Sequence, residues 1–414
     1  MNTKTDYEVH TFANGIRWVH KEIKHTAMVH CGIMLDIGSR DEKSHEQGLV
    51  HFWEHMAFKG TTTKKSHYIL HRIDALGGEL NAYTTKEKIC FHATLLAKYF
   101  PRAIQLLVDI VFNSTFPPKE IEKERQVILE EMGMYEDNPE ESIMDDFDSL
   151  VYANCAMGYN ILGTRDSVKS FEQAHFTEFI RQNIDTSRIV LSTVGNIKSS
   201  KAHPVAEKYL ASVARISNTQ HRHIYTNENI KNKIIEKPIQ QAHCMIGANA
   251  YNIQSNNKVA FYLLTNILGG HAMNTKLNLM LREKHGLVYH VDAHYTPYTD
   301  TGLFNIYFGT EKKHVSKCIT LIMYELENFK NILLPHKKLK MYKEQLKGQL
   351  AVAEENYNGM MLAMAKNTLD LGYMESMKNI FKKIDDIAPE QIMQISREIF
   401  SHDKLYRLDY LPNK

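Results

Sequence analysis

The predicted order of strands and helices occurs twice along this chain, which limits the possible folds more than any other feature. Alternating apolar and polar residues predict paired strands at 79–85 and 88–96. The same order returns at 287–296 and 301–309, about 210 residues later, and amphipathic helices follow the strands in both halves. A repeated unit of this kind predicts two separate sheets, each with its own layer of helices.

The predicted fold class is therefore α+β, with two homologous α/β-layered domains that each contain a mostly antiparallel sheet packed with helices. Mostly polar residues from Ser217 to Asn232 interrupt the periodicity between the two halves. We predict a first domain at 1–216, a linker at 217–232 and a homologous second domain at 233–414. With 414 residues, the chain is long enough to form more than one hydrophobic core.

The charge balance and the cysteine pattern argue against several classes of protein. Lys and Arg total 50 and Asp and Glu total 48, with both signs interspersed. Such a chain offers no broad basic surface, so we expect neither a nucleic-acid partner nor a membrane partner. The first residues lack the apolar core of a signal peptide, and the five cysteines are dispersed without a CxxC pair. We therefore expect a cytoplasmic protein with reduced thiols.

Two histidines four residues apart carry the clearest chemical signal. His51 and His55 lie in an apolar segment that is predicted to be a buried helix, where residues four apart stand one turn above each other. Both imidazoles could then bind one zinc ion, and Glu54 could accept a proton from water in the HxxEH order of the inverzincins. The chain has 22 histidines, so the motif alone does not distinguish a metal site from hydrogen-bonded core histidines.

A second helix supplies candidates for a third ligand. The helix predicted at 118–137 has an apolar stripe that includes Glu124 and Glu131, whereas its other acidic residues point elsewhere. Two acids on a buried stripe indicate a nearby cation. They lie about 10 Å apart along the helix axis, so only one of them would bind the ion directly.

These residues resemble the pitrilysin-type (M16) zinc metallopeptidases, and the pattern is closest to bacterial members that are similar to mitochondrial processing peptidase. The segment at 51–61 resembles the active-site segment of that family almost residue for residue. The segments at 38–42, 77–84 and 281–289 also resemble the family, and the resemblance covers nearly the whole chain. It implies a clamshell-like peptidase fold.

The resemblance also implies roles for individual residues. It implies one Zn²⁺ per chain, held by His51, His55 and Glu131, with Glu124 as a supporting acid and Glu54 as the general base. Arg282 and Tyr289 would be catalytic residues from the second domain. Substrate-binding residues would be Asn81, Ala82, Tyr83, Arg282 and Tyr289.

The function predicted from the sequence is that of a zinc-dependent endopeptidase, which hydrolyses unstructured or short peptides with metal-activated water and a glutamate base. The alternatives are a non-catalytic or partner-dependent subunit of a processing-peptidase-like heterodimer, or a structural metal site. Members of the family resemble one another in enclosing peptides between four such domains, so we expect a homodimer or a heterodimer with a related chain. The second half has no HxxEH, and His271 departs from the small residue that is usual at its position.

Overall fold

The computed structural model of the protein describes residues 7–219, 222 and 232–413. Within these residues, the strands form two sheets. The strands are β1 Glu8–Thr11, β2 Arg17–Glu22, β3 Met28–Leu35, β4 Glu79–Thr84, β5 Ile89–Leu96, β6 Ile189–Gly195, β7 Asn232–Lys237, β8 Ala242–Asn249, β9 Val288–Pro297, β10 Gly302–Thr310 and β11 Tyr406–Pro412.

The two sheets have matching strand orders. The first sheet has six strands in the order β1-β2-β6-β3-β5-β4, and the second has five in the order β7-β11-β8-β10-β9. Each sheet contains one parallel pair, β2 with β6 and β7 with β11, while the other described pairs are antiparallel. The prediction of two α/β-layered halves with mostly antiparallel sheets is confirmed.

Helices cover these sheets, and one of them spans Pro118–Asp137, as the sequence predicts. No helix in the described part of the chain combines the length and the apolar character needed to cross a membrane. The helices are α1 Leu49–Met56, α2 Ser66–Asp74, α3 Phe100–Phe112, α4 Pro118–Asp137, α5 Pro139–Val151, α6 Arg165–Ser170, α7 Gln173–Asn183, α8 Ser199–Leu210, α9 Lys258–Gly269, α10 Val315–Asn331, α11 His336–Glu354, α12 Tyr357–Leu371, α13 Met377–Asp385 and α14 Pro389–Ile399.

The chain forms two compact units that are not contiguous in sequence, which differs from the predicted division at 216 and 233. One unit comprises Met1–Met132, Tyr159–Arg222 and Val352–Ser376, and the other comprises Gly133–Gly158, His223–Ala351 and Met377–Lys414. Each unit thus takes in a helical segment from the opposite half of the sequence. Of the predicted linker, only 217–219, 222 and 232 are among the described residues.

Apolar packing explains why α5 and α12 each belong to the unit that contains the sheet of the other half of the sequence. We refer to this arrangement as the exchange of helices. Helix α12 places Met360, Met361 and Met364 against the first sheet. Their buried partners there are Val19, Met34, Cys90, Val190 and Val194. In the second unit, α5 packs Ile143 and Phe147 on β8 and β11. Each helix covers one face of a sheet whose other face is covered by helices from its own half, so both faces are removed from water.

Buried ion pairs join α12 to the first sheet. Lys88 Nζ lies 2.8 Å from Asp36 Oδ1 and 2.8 Å from Asp370 Oδ1 on α12, and the Lys88 side chain is 4% exposed. Arg222 also contacts Asp36, at 3.1 Å. Burial alone would lower the pKa of Lys88, but the carboxylates of Asp36 and Asp370 raise it above its usual value. Lys88 is therefore charged and paired inside the first unit.

Candidate metal centre

The helix that carries the two histidines is fixed at its N-terminus by a buried carboxylate. Glu42 accepts hydrogen bonds from the backbone N–H groups of Gly48 and Val50, at 2.9 and 2.8 Å. Gly48 has φ 89°, and a Cβ there would lie 2.4 Å from the carbonyl oxygen of Leu162. Only glycine fits such a position, so this turn fixes the direction in which α1 begins.

His51 and His55 stand together on α1, as their spacing predicts. Their ring centroids are 4.6 Å apart. Burial, with a smaller contribution from His55, lowers the pKa of His51 to about 3, so its imidazole is neutral, the form that binds metal ions. His51 Nδ1 is buried and has no hydrogen-bond partner among the described residues. Its other ring nitrogen, Nε2, faces Glu131 of α4.

Glu131 of α4 faces both imidazoles. Its Oε1 lies 3.8 Å from His51 Nε2, and its Oε2 lies 3.5 Å from His55 Nε2. The ligand atoms of these three residues all lie within 4.8 Å of one another, and no other group of His, Cys, Asp and Glu in the described part of the chain meets this criterion. Two imidazoles and one carboxylate are the ligand set of many catalytic zinc sites, so these residues fit a zinc ion.

Glu124 contacts Nδ1 of His55, the ring nitrogen that is directed away from Glu131. Glu124 Oε1 lies 3.0 Å from His55 Nδ1, and Lys59 Nζ lies 2.6 Å from Glu124 Oε2. Burial alone would raise the pKa of Glu124, but hydrogen bonds from His55 and Lys59 lower it below its usual value. An ionised Glu124 can accept a hydrogen bond from His55 Nδ1, and Nε2 is the nitrogen of His55 that faces Glu131. Glu124 thus lies where the sequence predicts a supporting acid.

The contact with Glu124 predicts a measurable contribution to zinc affinity. We expect Glu124→Gln to weaken zinc binding by about 10- to 100-fold, because the amide no longer fixes the tautomer of His55 with a full negative charge. The affinity is measured by zinc content at buffered free zinc. Glu130→Gln, at an exposed position of the same helix, is the matched control and should bind zinc as the unaltered chain does. Equal affinities in the two variants would contradict the assigned role of Glu124.

Glu54 lies beside the candidate metal ligands, and its carboxylate is hydrogen-bonded to Thr84. The hydroxyl of Thr84 on β4 donates a hydrogen bond of 2.6 Å to Glu54 Oε2. Burial raises the pKa of Glu54, and the bond from Thr84 opposes this rise. One carboxylate oxygen is thus anchored to the edge strand. Thr84 and Lys59 were not predicted as site residues, although both carry a signal: Thr84 ends the edge strand, and Lys59 follows His55 by four residues.

A cavity of about 320 Å³ opens beside these residues. Asn81 and Ala82 line it from β4, whose one partner among the described strands is β5. The Tyr83 side chain lies on the other face of the strand, where it packs against the cluster that contains Met34 and Cys90. Alternation places Tyr83 on the face opposite Ala82, whereas Asn81 shares the face of Tyr83 and nevertheless borders the cavity. Asn81 and Ala82 reach the cavity, whereas the side chain of Tyr83 does not.

Arg282 and Tyr289 belong to the second compact unit. Arg282 lies in a π-helical segment, Asn278–Lys284, and its guanidinium carbon lies 5.4 Å from the centroid of the Tyr289 ring. The Tyr289 residue is 84% exposed. The structure brings these two residues together, and their roles toward substrate remain predictions.

Family models match both halves of the chain. An α/β unit is present twice, and two histidines and a glutamate are grouped in the first copy, so the chain is in the class of duplicated α/β proteins with a candidate metal centre in one half. The family model described as Insulinase (Peptidase family M16) matches residues 17–165, and that described as Peptidase M16 inactive domain matches residues 170–346. The chain belongs to peptidase family M16, which confirms the resemblance seen in the sequence.

Relatives and solved structures agree with this assignment. The chain is 32% identical over 397 residues to a protein of Bacillus subtilis named uncharacterized zinc protease YmxG, which covers 95% of this chain and 96% of that protein. It is 30% identical over 398 residues to an uncharacterized zinc protease of Rickettsia felis, covering 96% of each. A protease from Helicobacter pylori has the same fold, with a TM-score of 0.89 at 17% identity, over 98% of this chain and 99% of that chain.

Proposed function

We propose that the protein is a zinc-dependent endopeptidase that hydrolyses unstructured or short peptides. The observation that carries this proposal is the grouping of His51, His55 and Glu131 within 4.8 Å, beside the anchored carboxylate of Glu54 and an open cavity. A structural zinc site normally has four protein ligands, whereas three ligands with a nearby carboxylate are typical of a hydrolytic site.

His51, His55 and Glu131 would hold the zinc ion. When bound, zinc supplies a Lewis acid that polarises water and the carbonyl group of the peptide bond to be cleaved. Glu54 would take a proton from the attacking water on its free oxygen, Oε1, while Thr84 keeps Oε2 in place. It would then deliver this proton to the leaving amine nitrogen. The raised pKa of Glu54 suits a group that must first accept a proton and then release it.

The edge strand would bind the peptide backbone. A peptide that adds to β4 pairs through main-chain hydrogen bonds, which require an extended chain but no particular sequence. Asn81 and Ala82 line the cavity on this strand. We therefore infer that unfolded segments are the substrates. Arg282 and Tyr289 are proposed to bind the peptide or to neutralise negative charge on its carbonyl oxygen. The active species is proposed to be a homodimer or a heterodimer with a related chain.

Hydrolysis of an unstructured peptide by the purified chain tests this function. We expect cleavage that a chelator abolishes and that added zinc, but not added magnesium, restores. A stably folded protein containing the same peptide sequence is the control and should resist cleavage. Cleavage that survives chelation would contradict the proposal. No cleavage by a chain that carries zinc would favour the alternative function, that of a partner-dependent subunit of a heterodimer.

A further inference from the structure

An arginine of the linker predicted at 217–232 is buried in the first compact unit. Arg222 ends the segment Tyr159–Arg222 of that unit, and its side chain is 9% exposed. Its Nε and Nη2 donate hydrogen bonds of 2.9 and 2.8 Å to the two carboxylate oxygens of Asp41, and its Nη1 donates one of 3.1 Å to Asp36 Oδ1. A planar guanidinium pairs with a carboxylate in this two-pronged way, which a lysine cannot reproduce.

The same guanidinium also contacts the turn between strands β4 and β5. Its Nη2 donates a hydrogen bond of 3.1 Å to the backbone carbonyl oxygen of Glu87, and its Nη1 lies 3.8 Å from Glu87 Oε1. Glu87 Oε1 also lies 2.6 Å from Arg40 Nη1. Arg222 therefore bridges two segments that are distant in sequence, the segment 38–42 and the turn 85–88.

These two segments pack backbone against backbone. The N–H group of Arg40 donates a hydrogen bond of 2.9 Å to the carbonyl oxygen of Lys86. The N–H group of Ser39 donates one of 3.2 Å to the carbonyl oxygen of Thr85. A Cβ at Gly38 would lie 2.4 Å from the carbonyl oxygen of Lys86, so glycine is required for this close approach. The guanidinium thus fastens together two backbones that are already in contact.

Both segments lead directly to elements that position the proposed general base, Glu54. The turn 85–88 follows Thr84, whose hydroxyl donates the hydrogen bond of 2.6 Å to Glu54 Oε2. The other segment ends at Glu42, whose carboxylate fixes the N-terminus of α1, the helix that carries Glu54. The distance between Thr84 and Glu54 therefore depends on how the turn is held against the segment 38–42.

We propose that Arg222 is a positioning residue for the reaction, because it holds the turn 85–88 in the place where Thr84 can anchor Glu54. This inference rests on the proposed function, in which Glu54 is the general base. The contacts of Arg222 given above are with residues of the first unit that flank the site, so it acts through Thr84 and not on the substrate. The connection between the two halves of the chain would thereby contribute to the geometry of the site in the first half.

A double-substitution cycle tests this role. Arg222→Lys keeps a cation beside the buried carboxylates, but its single ammonium group cannot pair with Asp41 and the Glu87 carbonyl in the same geometry. We expect it to lower kcat for hydrolysis of an unstructured peptide by about 10-fold, with KM and zinc content unchanged. A residue that only stabilised the fold would not lower kcat per folded molecule.

Thr84→Val removes the donor to Glu54 and should lower kcat by a similar factor. In the Thr84→Val background, Arg222→Lys should lower kcat by less than about 2-fold, because the hydrogen bond through which it acts is already absent. Arg215→Lys changes an exposed arginine that also follows helix α8, so it is the matched control and should leave kcat unchanged.

Hydrogen exchange supplies a readout that does not depend on hydrolysis. The N–H group of Thr85 is bonded to the Lys88 carbonyl oxygen at 2.7 Å, and the N–H group of Lys88 is bonded to Thr85 Oγ1 at 2.9 Å. We expect both amides to exchange at least about 5-fold faster in Arg222→Lys, because the turn opens more often, and at the native rate in Arg215→Lys.

The inference is overturned if exchange at the turn is unchanged in Arg222→Lys, whether or not the chain hydrolyses peptides. It is also overturned if Arg222→Lys keeps the kcat of an active chain, or if the losses caused by Arg222→Lys and Thr84→Val multiply in the double variant. If a chain that carries zinc shows no hydrolysis, exchange alone decides: faster exchange supports the contact between Arg222 and the turn, and the failure then concerns the proposed function.

Discussion

Replacing Glu54 with glutamine should lower the rate of peptide hydrolysis by about 10²- to 10⁴-fold while zinc content stays unchanged. The amide keeps an oxygen that can accept the hydrogen bond from Thr84, which measures 2.6 Å in the native chain, so the local geometry should persist. It cannot accept a proton from water, because its nitrogen already carries two hydrogens and its oxygen is a very weak base. The loss should therefore appear in kcat and hardly in KM, since Glu54 is not needed to pair with the peptide backbone.

A matched substitution makes this result specific. Glu122→Gln changes the same chemical group at an exposed position of α4, and it should leave kcat unchanged. Zinc content must be measured in both variants, because loss of the ion would also abolish hydrolysis. If Glu54→Gln retained both its zinc and most of its activity, another group would have to act as the base.

Lys88→Met should destabilise the first compact unit by about 1.5–3 kcal/mol. The methionine fills much of the space of the lysine, but the buried carboxylates of Asp36 and Asp370 lose a cation at 2.8 Å. Asp36 keeps Arg222 at 3.1 Å and Asp370 keeps Lys366 at 2.7 Å, so the cost is that of losing the two charge-assisted contacts of Lys88. Because Asp370 lies on α12, the substitution should weaken the attachment of that helix to the first sheet.

The chain supplies both a local probe and a control for this measurement. Its two tryptophans, Trp18 and Trp53, are buried in the first unit, so tryptophan fluorescence during denaturation reports the unfolding of that unit. Lys366→Met removes a different lysine, 44% exposed, that pairs with the same Asp370 at 2.7 Å. That pair should contribute no more than about 0.5 kcal/mol. Equal destabilisation by the two substitutions would show that burial of Lys88 has no special effect.

Local periodicity predicted the elements that carry the metal ligands. The apolar stripe of α4 and the four-residue spacing on α1 are properties of single helices, so 118–137 is both the predicted and the observed extent of α4. The same reasoning placed Glu124 and Glu131 on a buried face before any contact was known. Helices α13 and α14 were not predicted from the sequence, although both have a clear apolar stripe.

Contacts between segments that are distant in sequence could not be predicted from periodicity within a single helix or strand. An apolar stripe shows that a helix has a buried face, but it does not identify the sheet that the helix covers, so the exchange of α5 and α12 was not predicted. The hydrogen bond from Thr84 to Glu54 likewise depends on how β4 and α1 pack together.

The exchange of helices has a consequence for synthesis on the ribosome. Among the described residues, the last strand of the first sheet ends at Gly195, yet the helix that covers one face of that sheet spans Tyr357–Leu371. During translation, α12 is made only after more than 150 further residues have been added beyond β6. Until then it cannot cover the apolar residues of the first sheet, such as Val19, Met34 and Val190. We therefore expect nascent chains of this protein to expose an apolar sheet face during this stage of elongation, when such surfaces are prone to aggregate.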